Sequence, residues 1–437
     1  MWHFIVGGAL VVFLLGCKAR AFNESTTQSE KKQNSDILNK IPASLSPIFQ
    51  SPHPLFLQIT VPFSKVTVIE NKSNSISTPI VSVDGILLYP DASSNIEIPL
   101  KLTPLPLPAI HRCKFPDFLL HFRTDLMNSV FANGENLTLF SPCQAETNKI
   151  SDEVFVHRLA LAYEILESQN IPIRKFRKVQ TRFLDSETKK TYERHALIFE
   201  DPSHVAERFN GQLSESASSL ANEFRYSVSA QQILRVFFGQ LLIGNKDWDL
   251  GATAESKGNL RGFSIVHLPQ GLDLFLPERI EKALIVTDIN PPETSLLKDF
   301  YPNRSENFKE IVNQLIMLRK KFPHHALIEE AKHFLALRKK VEEKIGSSPL
   351  NEESRKSFRK QTDAFYEALQ TELPSFQSNT HEKLQIFSDN DLKSSVMCAA
   401  LPKHSIFRLQ NRSGRWSKIQ ILEGECQGTE GWVPLDL

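Results

Sequence analysis

Residues Phe4 to Gly16 form an unbroken apolar run of 13 residues that ends at Cys17. As a helix, at roughly 1.5 Å per residue, it would reach about 20 Å, against a hydrocarbon core of about 30 Å. It is too short to span a bilayer. The remaining 420 or so residues must therefore bury their own core in water, and a chain of 437 residues with 41% hydrophobic and 23% charged content suits two or three globular domains. Lys and Arg number 51 against 50 Asp and Glu, a net of +1. That balance supplies no field to gather nucleic acid, so a nucleic-acid binder is excluded.

The Leu14-Leu15-Gly16-Cys17 end of the run resembles the lipobox of bacterial lipoproteins. The resemblance implies a signal peptide over residues 1–16 and a diacylglycerol thioether with palmitate-type acylation on Cys17. Two or more chains at about 0.8 kcal/mol per buried methylene anchor a protein firmly to a membrane. Lys18, rather than Asp, follows the cysteine, which by the same resemblance implies a cell-envelope protein at the outer membrane rather than the inner one. Residues 17–50 read as a lipidated flexible tether, because Ala19 to Asn39 is rich in Ser, Thr, Asn, Gln and Lys.

Four cysteines remain, and they fall into two local pairs with no CxxC spacing. In an oxidising compartment they are expected as the disulfides Cys113–Cys143 and Cys398–Cys426; four reduced, buried thiols are the alternative.

Alternation of period two at Leu55, Leu57, Ile59, Val61 and at Ile96, Ile98, Leu100, Leu102 predicts a β-rich lobe over residues 51–204. Asp84-Gly85 reads as a hairpin turn. Asn133-Gly134 and Asp185-Ser186-Glu187 mark two further turns. One helix is expected inside this lobe, from Asp152 to Ser168. Arg174, Lys175, Arg177, Lys178 and Arg182 read as charges guarding a strand edge. A helical lobe then covers 205–374, with helices at Ala230–Ile243, Glu306–Lys320, Ala326–Ile345 and Glu352–Leu373. On the third of these, His325, Glu329 and His333 share a face at a spacing that could hold a metal or simply meet solvent.

A polar linker is read over 375–391, then a small all-β domain over 392–437. The alternating Phe407, Leu409, Trp416, Ile419 and Ile421 and the closing Gly431-Trp432-Val433 resemble bacterial SH3-like modules. The resemblance implies binding of peptidoglycan or an envelope protein, with Trp416 and Trp432 as candidate contacts; Trp432 serves either as a platform or as a barrel plug.

No Walker loop, HExxH, GxSxG or paired CxxC occurs. The block Ile243-Gly244-Asn245-Lys246-Asp247-Trp248 resembles the CotH-like branch of atypical protein kinases. Cys113-Lys114-Phe115-Pro116, Leu137-Thr138-Leu139 and Ile198-Phe199-Glu200-Asp201-Pro202 follow the same order of landmarks. The resemblance implies an α+β, two-lobed kinase-like body. Asp247 would be the catalytic base, and Asn259 and Asp273 would hold Mg²⁺ with ATP.

The pattern is broken where charge matters. Thr138 stands at the position of the phosphate-holding Lys, Leu107 to His111 replaces an Arg-Gly segment, and Gln270-Gly271-Leu272-Asp273 keeps one carboxylate of two. Losing such charge-assisted contacts disables a Mg-ATP site, so no cofactor is expected. The expectation is thus a membrane-anchored binding protein with an inactive kinase-like body. The alternative is an active phosphotransferase in which another cation replaces the Lys.

Overall fold

The structure is a computed structural model that describes residues 45–66, 81–90, 95–105, 116–123, 126, 129–132, 134–142, 150–214, 230–250, 260–269, 273–287, 301–379, 383–403, 405–422 and 426–434. All belong to one compact unit, Pro42–Leu437. Cys17, the tether up to residue 44, the Cys113–Cys143 pair and Asn259 lie outside the described residues, whereas the last stretch read as tether, 45–50, belongs to the barrel: Pro47–Phe49 form a 3-10 turn and Ile48 is buried in the barrel core. Among those described, no helix is long and apolar enough to cross a membrane.

Seven strands make a closed barrel: β1 (Leu55–Val61), β2 (Val83–Pro90), β3 (Asn95–Pro104), β4 (Phe118–Phe122), β5 (Asn136–Phe140), β6 (Phe176–Asp185) and β7 (Thr191–Glu200). Their order is β1-β2-β3-β4-β5-β7-β6, closed by a parallel β1–β6 pair in register from Leu55↔Val179 to Val61↔Asp185. The alternating residues read from the sequence fill it: Leu57, Ile59, Val61, Ile98, Leu100 and Leu102 are buried with Phe118, Leu137, Leu139 and Phe183. The apolar face of each strand is covered because the sheet meets itself.

Two sequence expectations change here. Asp84-Gly85 lies inside β2 and is not a turn. Gly85 is required by close approach, since a Cβ there would meet Val61 Cγ1 at 2.3 Å and the Thr60 carbonyl at 2.7 Å. The basic residues of β6 guard no edge, because β6 is paired on both sides. Arg177 turns inward and donates to the carbonyls of His53 (2.9 Å) and Ile48 (3.2 Å), while Arg182 pairs with Glu193.

Helix α1 (Asp152–Ser168) lies between β5 and β6 in the chain and is capped by Ser151, whose side chain accepts from the Val154 amide. Beyond the barrel come α2 (Pro202–Arg208), β8 (Gln212–Leu213), α3 (Ala230–Leu242), β9 (Asp249–Leu250), β10 (Leu260–Arg261), β11 (Phe263–His267) and β12 (Asp273–Pro277). They are followed by α4 (Leu284–Thr287), α5 (Glu306–Lys321), α6 (His324–Ala336), α7 (Arg338–Ser347) and α8 (Glu352–Thr371). One apolar core runs from Leu197 and Phe199 of β7 through α1 and α3 to α8. The single helix expected over Ala326–Ile345 is two, divided at Leu337, whose φ of −95° and ψ of 1° end α6.

The C-terminal sheet begins earlier than the sequence suggests. It contains β13 (Phe376–Ser378), β14 (Lys383–Phe387), β15 (Val396–Pro402), β16 (Ile406–Ser413), β17 (Trp416–Ile421) and β18 (Glu430–Pro434), in the order β13-β16-β17-β18-β14-β15. Residues read as a linker therefore supply two strands. Cys398 and Cys426 are joined by a disulfide, with Cα atoms 6.1 Å apart.

This sheet is docked on the helices. Phe376, Ile406 and Leu422 belong to the helical core, and Arg408 bonds both Glu372 and the Tyr301 hydroxyl while lying 4.8 Å from the Tyr301 ring. Truncating buried Phe376 should cost about 3–5 kcal/mol. Calorimetry of the wild type is expected to show tail and body unfolding together, and Phe376→Ala should lower the midpoint and split off a tail transition.

Candidate functional site

The chain leaves α3 through Gly244, whose φ of +68° favours glycine. A Cβ at this position would also meet the Leu284 Cβ at 2.8 Å. Asn245, buried, then ties the loop down. Its Nδ2 donates to Gln240 Oε1 (2.9 Å) and its Oδ1 accepts from the Asp247 amide (3.0 Å), while its carbonyl takes the Trp248 indole N–H (2.8 Å). Trp248 stacks on Phe237 with ring centroids 4.7 Å apart. Asn245 and Trp248 thus set the position of the residue between them.

Asp247 Oδ2 lies 2.8 Å from Arg279 Nη1 and 2.9 Å from Lys282 Nζ. Burial pushes this carboxyl up, but the hydrogen bonds and charges of Arg279 and Lys282 outweigh it and hold Asp247 below the usual carboxylate range. A carboxylate so paired is a poor proton acceptor. Gly262 presses the hairpin against this point: a Cβ on it would meet the Asp247 carbonyl at 2.4 Å.

Asp273 is elsewhere. It stands opposite His267 at the far end of the β11–β12 hairpin, whose near end pairs Phe263 with Pro277. Four residues of strand separate those ends, about 14 Å at roughly 3.4 Å per residue. Asp273 Oδ1 is 2.6 Å from His267 Nδ1. Asp247 and Asp273 are therefore not brought together, and Asn259 lies outside the described residues. Among the described residues no group of three or more His, Cys, Asp or Glu side chains is placed to hold a metal ion. The donor set does not fit Mg-ATP, because two fixed cations occupy the carboxylate that would have to serve it. On α6, His333 Nε2 meets the Gln169 carbonyl at 3.2 Å.

Thr138, where the resemblance places a lysine, has a cation beside it. Arg174 Nη2 donates to Thr138 Oγ1 (2.9 Å), and its Nε donates to the Glu200 carbonyl (2.7 Å). The guanidinium lies 5.3 Å from the Phe199 ring. Glu200 is buried and held by Arg208, its Oε2 3.0 Å from Arg208 Nη2.

Two acids that the sequence analysis passed over mark the same region. Asp117, just ahead of β4, accepts the Ser141 amide at 3.0 Å. Burial, opposed by that bond and reinforced by the charge of Glu281, pushes its carboxyl up to about 7. Burial raises Glu281 as well.

In the tail, Trp416 and Trp432 occupy one face of the sheet with Phe387. Phe387 pairs with Trp432, Lys418 pairs with Trp432, and the Phe387 and Trp416 rings meet edge to face at 5.7 Å. The alternate residues Ile419, Ile421 and Val433 point to the tail core. Both tryptophans are half-buried on the opposite face.

Arg279 and Lys282 were missed, and Arg174 was read only as an edge charge, because their roles depend on distant partners. His267 and Asp273 were within reach: the intervening Pro269-Gln270-Gly271 is a turn signal that would have paired them across a hairpin. No protein-family model matches the chain, and no curated protein matches it.

Asp117 ties this region to pH. An acid whose folded pKa is raised keeps its proton longer in the folded than in the unfolded state, so stability falls as pH rises from its ordinary value near 4 through about 7. Asp117→Asn should remove that loss, leaving the variant more stable by about 1–3 kcal/mol near pH 8 and unchanged near pH 4. Urea unfolding at both pH values checks this.

Proposed function

We propose that the chain is an envelope-anchored binding protein whose kinase-like body no longer transfers phosphoryl groups, and whose tail holds cell wall or an envelope protein. The observation that carries the reading is the double clamp on Asp247 by Arg279 and Lys282. Phosphoryl transfer needs a base free to receive a hydroxyl proton and acidic groups gathered around Mg²⁺. Here the one carboxylate in the loop is neutralised by protein cations, and the second sits at the other end of a hairpin. The closed barrel, the helix between β5 and β6, and the helical segment that follows are compatible with a kinase-like plan.

The lipid anchor at Cys17 and the outer-membrane location rest on the lipobox resemblance alone. The tail supplies the binding chemistry: the half-buried Trp416 and Trp432 on one face, packed over buried Phe387 and with Lys418 beside them, suit a ligand with apolar ring faces and hydroxyl edges, such as peptidoglycan.

A second reading is favoured by Arg174, which stands at the place of the absent lysine and would be the substitute cation of an active ATP-Mg phosphotransferase. Thermal unfolding separates the two. At about 5 mM ATP with Mg²⁺ the midpoint is expected to move by less than about 1 °C. A rise of several degrees that Arg174→Ala abolishes would establish the phosphotransferase reading instead. In a sedimentation assay on purified peptidoglycan, the full chain is expected to be retained, and Trp432→Ala to weaken retention roughly fivefold or more. Equal retention of the variant would move binding off the tail.

A further inference from the structure

The pair formed by His267 and Asp273 borders a cavity that the reading above does not use. The cavity has a volume of about 590 Å³ and is lined by Glu207, Asn210, Gly211, Gln212, His267, Leu268 and Pro269. This is within the range of small-molecule sites. From these residues we propose a second ligand site for a small, neutral, hydroxyl-rich molecule of the saccharide class, gripped by His267 Nε2.

The walls are fixed before any ligand arrives. Asp201 caps α2 by accepting the Ser203 amide (2.9 Å), and the chain turns through Asn210 at a φ of +54°. Gly211 then lies against β11 so closely that a Cβ would meet the His267 carbonyl at 2.6 Å and Val266 Cγ1 at 2.7 Å. β8 continues the contact by pairing Gln212 with His267. The cavity therefore sits between a capped helix and a hairpin whose backbones are held against each other.

The polar groups choose the ligand. Asp273 is buried at 5% exposure and binds Nδ1 of His267, whose side chain keeps 42% of its surface. A carboxylate on Nδ1 fixes that nitrogen as the donor, so in the neutral ring Nε2 carries the lone pair and accepts. Glu207 is a second acceptor, and the amides of Asn210 and Gln212 both donate and accept. No hydrogen bond ties the side chains of Glu207, Asn210 or Gln212 to another described residue. The lining contains no Lys or Arg, so phosphate or carboxylate ligands would find only a like charge. Pro269 adds exposed apolar surface for the C–H face of a sugar ring. Hydroxyls, which donate to acceptors and accept from amides, satisfy the whole set.

Histidine-edited NMR on the full chain tests the assignment, with chitotriose, maltotriose and inorganic phosphate as probes. At least one saccharide is expected to shift the His267 ring resonances with a Kd at or below about 5 mM, while phosphate leaves them unmoved. Glu207→Gln should weaken that binding at least roughly threefold and His267→Gln at least roughly fivefold. Both variants must keep the wild-type unfolding midpoint, and His267→Ala serves if His267→Gln does not. Trp432→Ala should leave the His267 response intact, which separates this site from the tail. No response to either saccharide, a response to phosphate alone, or undiminished binding in the folded His267 variant would overturn the proposal.

Discussion

Burial of α1 around most of its circumference holds this molecule together. Val156, Leu159, Ala160, Leu161, Ala162, Tyr163, Ile165 and Leu166 are all buried, and only a narrow stripe at Glu153, Glu164 and Glu167 meets solvent. A helix whose apolar residues reach so far round must be enclosed by more than one neighbouring element. One side of α1 takes Leu197 and Phe199 from the outside of the barrel, and the other takes α3 and the helices after it. The closed barrel could fill its own interior without α1, but its outer face would be left with exposed aromatics. The helices would likewise lack the partner that completes their core.

That arrangement explains what the residues disclosed and what they hid. Period-two alternation in β1 and β3 and the caps and periodicity of α1 and α8 are local signals, and they placed those elements nearly to the residue. The β1–β6 pairing was invisible, because nothing local tells a strand at Leu55 that its neighbour starts more than a hundred residues later. The break at Leu337 was hidden for a related reason. Phe334 and Val341 are seven residues apart, which suits one continuous helix as well as two helices turned about a kink. The strand from Phe376 was concealed by polar neighbours, since a three-residue strand leaves no period to read.

The candidate site was legible in part. The motif around Asn245 and Asp247 was visible, and the loop it builds is held as tightly as a working loop would need. The identity of the charges facing Asp247 was not. Arg279 and Lys282 become its partners only when the β11–β12 hairpin folds against the loop at Gly262. Those cations occupy the carboxylate from the protein side, so the loop persists as architecture while its acid is spoken for. The same logic applies to Arg174, which fills the space beside Thr138 from a different strand junction.

The absence of a spacer between α8 and β13 has a mechanical consequence. Only the single turn Leu373–Ser375 separates them, and Arg408 clasps Glu372 from within the sheet. Traction on the outer face of the C-terminal strands would pass straight into the longest helix and from there into the common apolar core. Tail and body would thus carry tension together as one stiff strut, and any give would have to come from outside them.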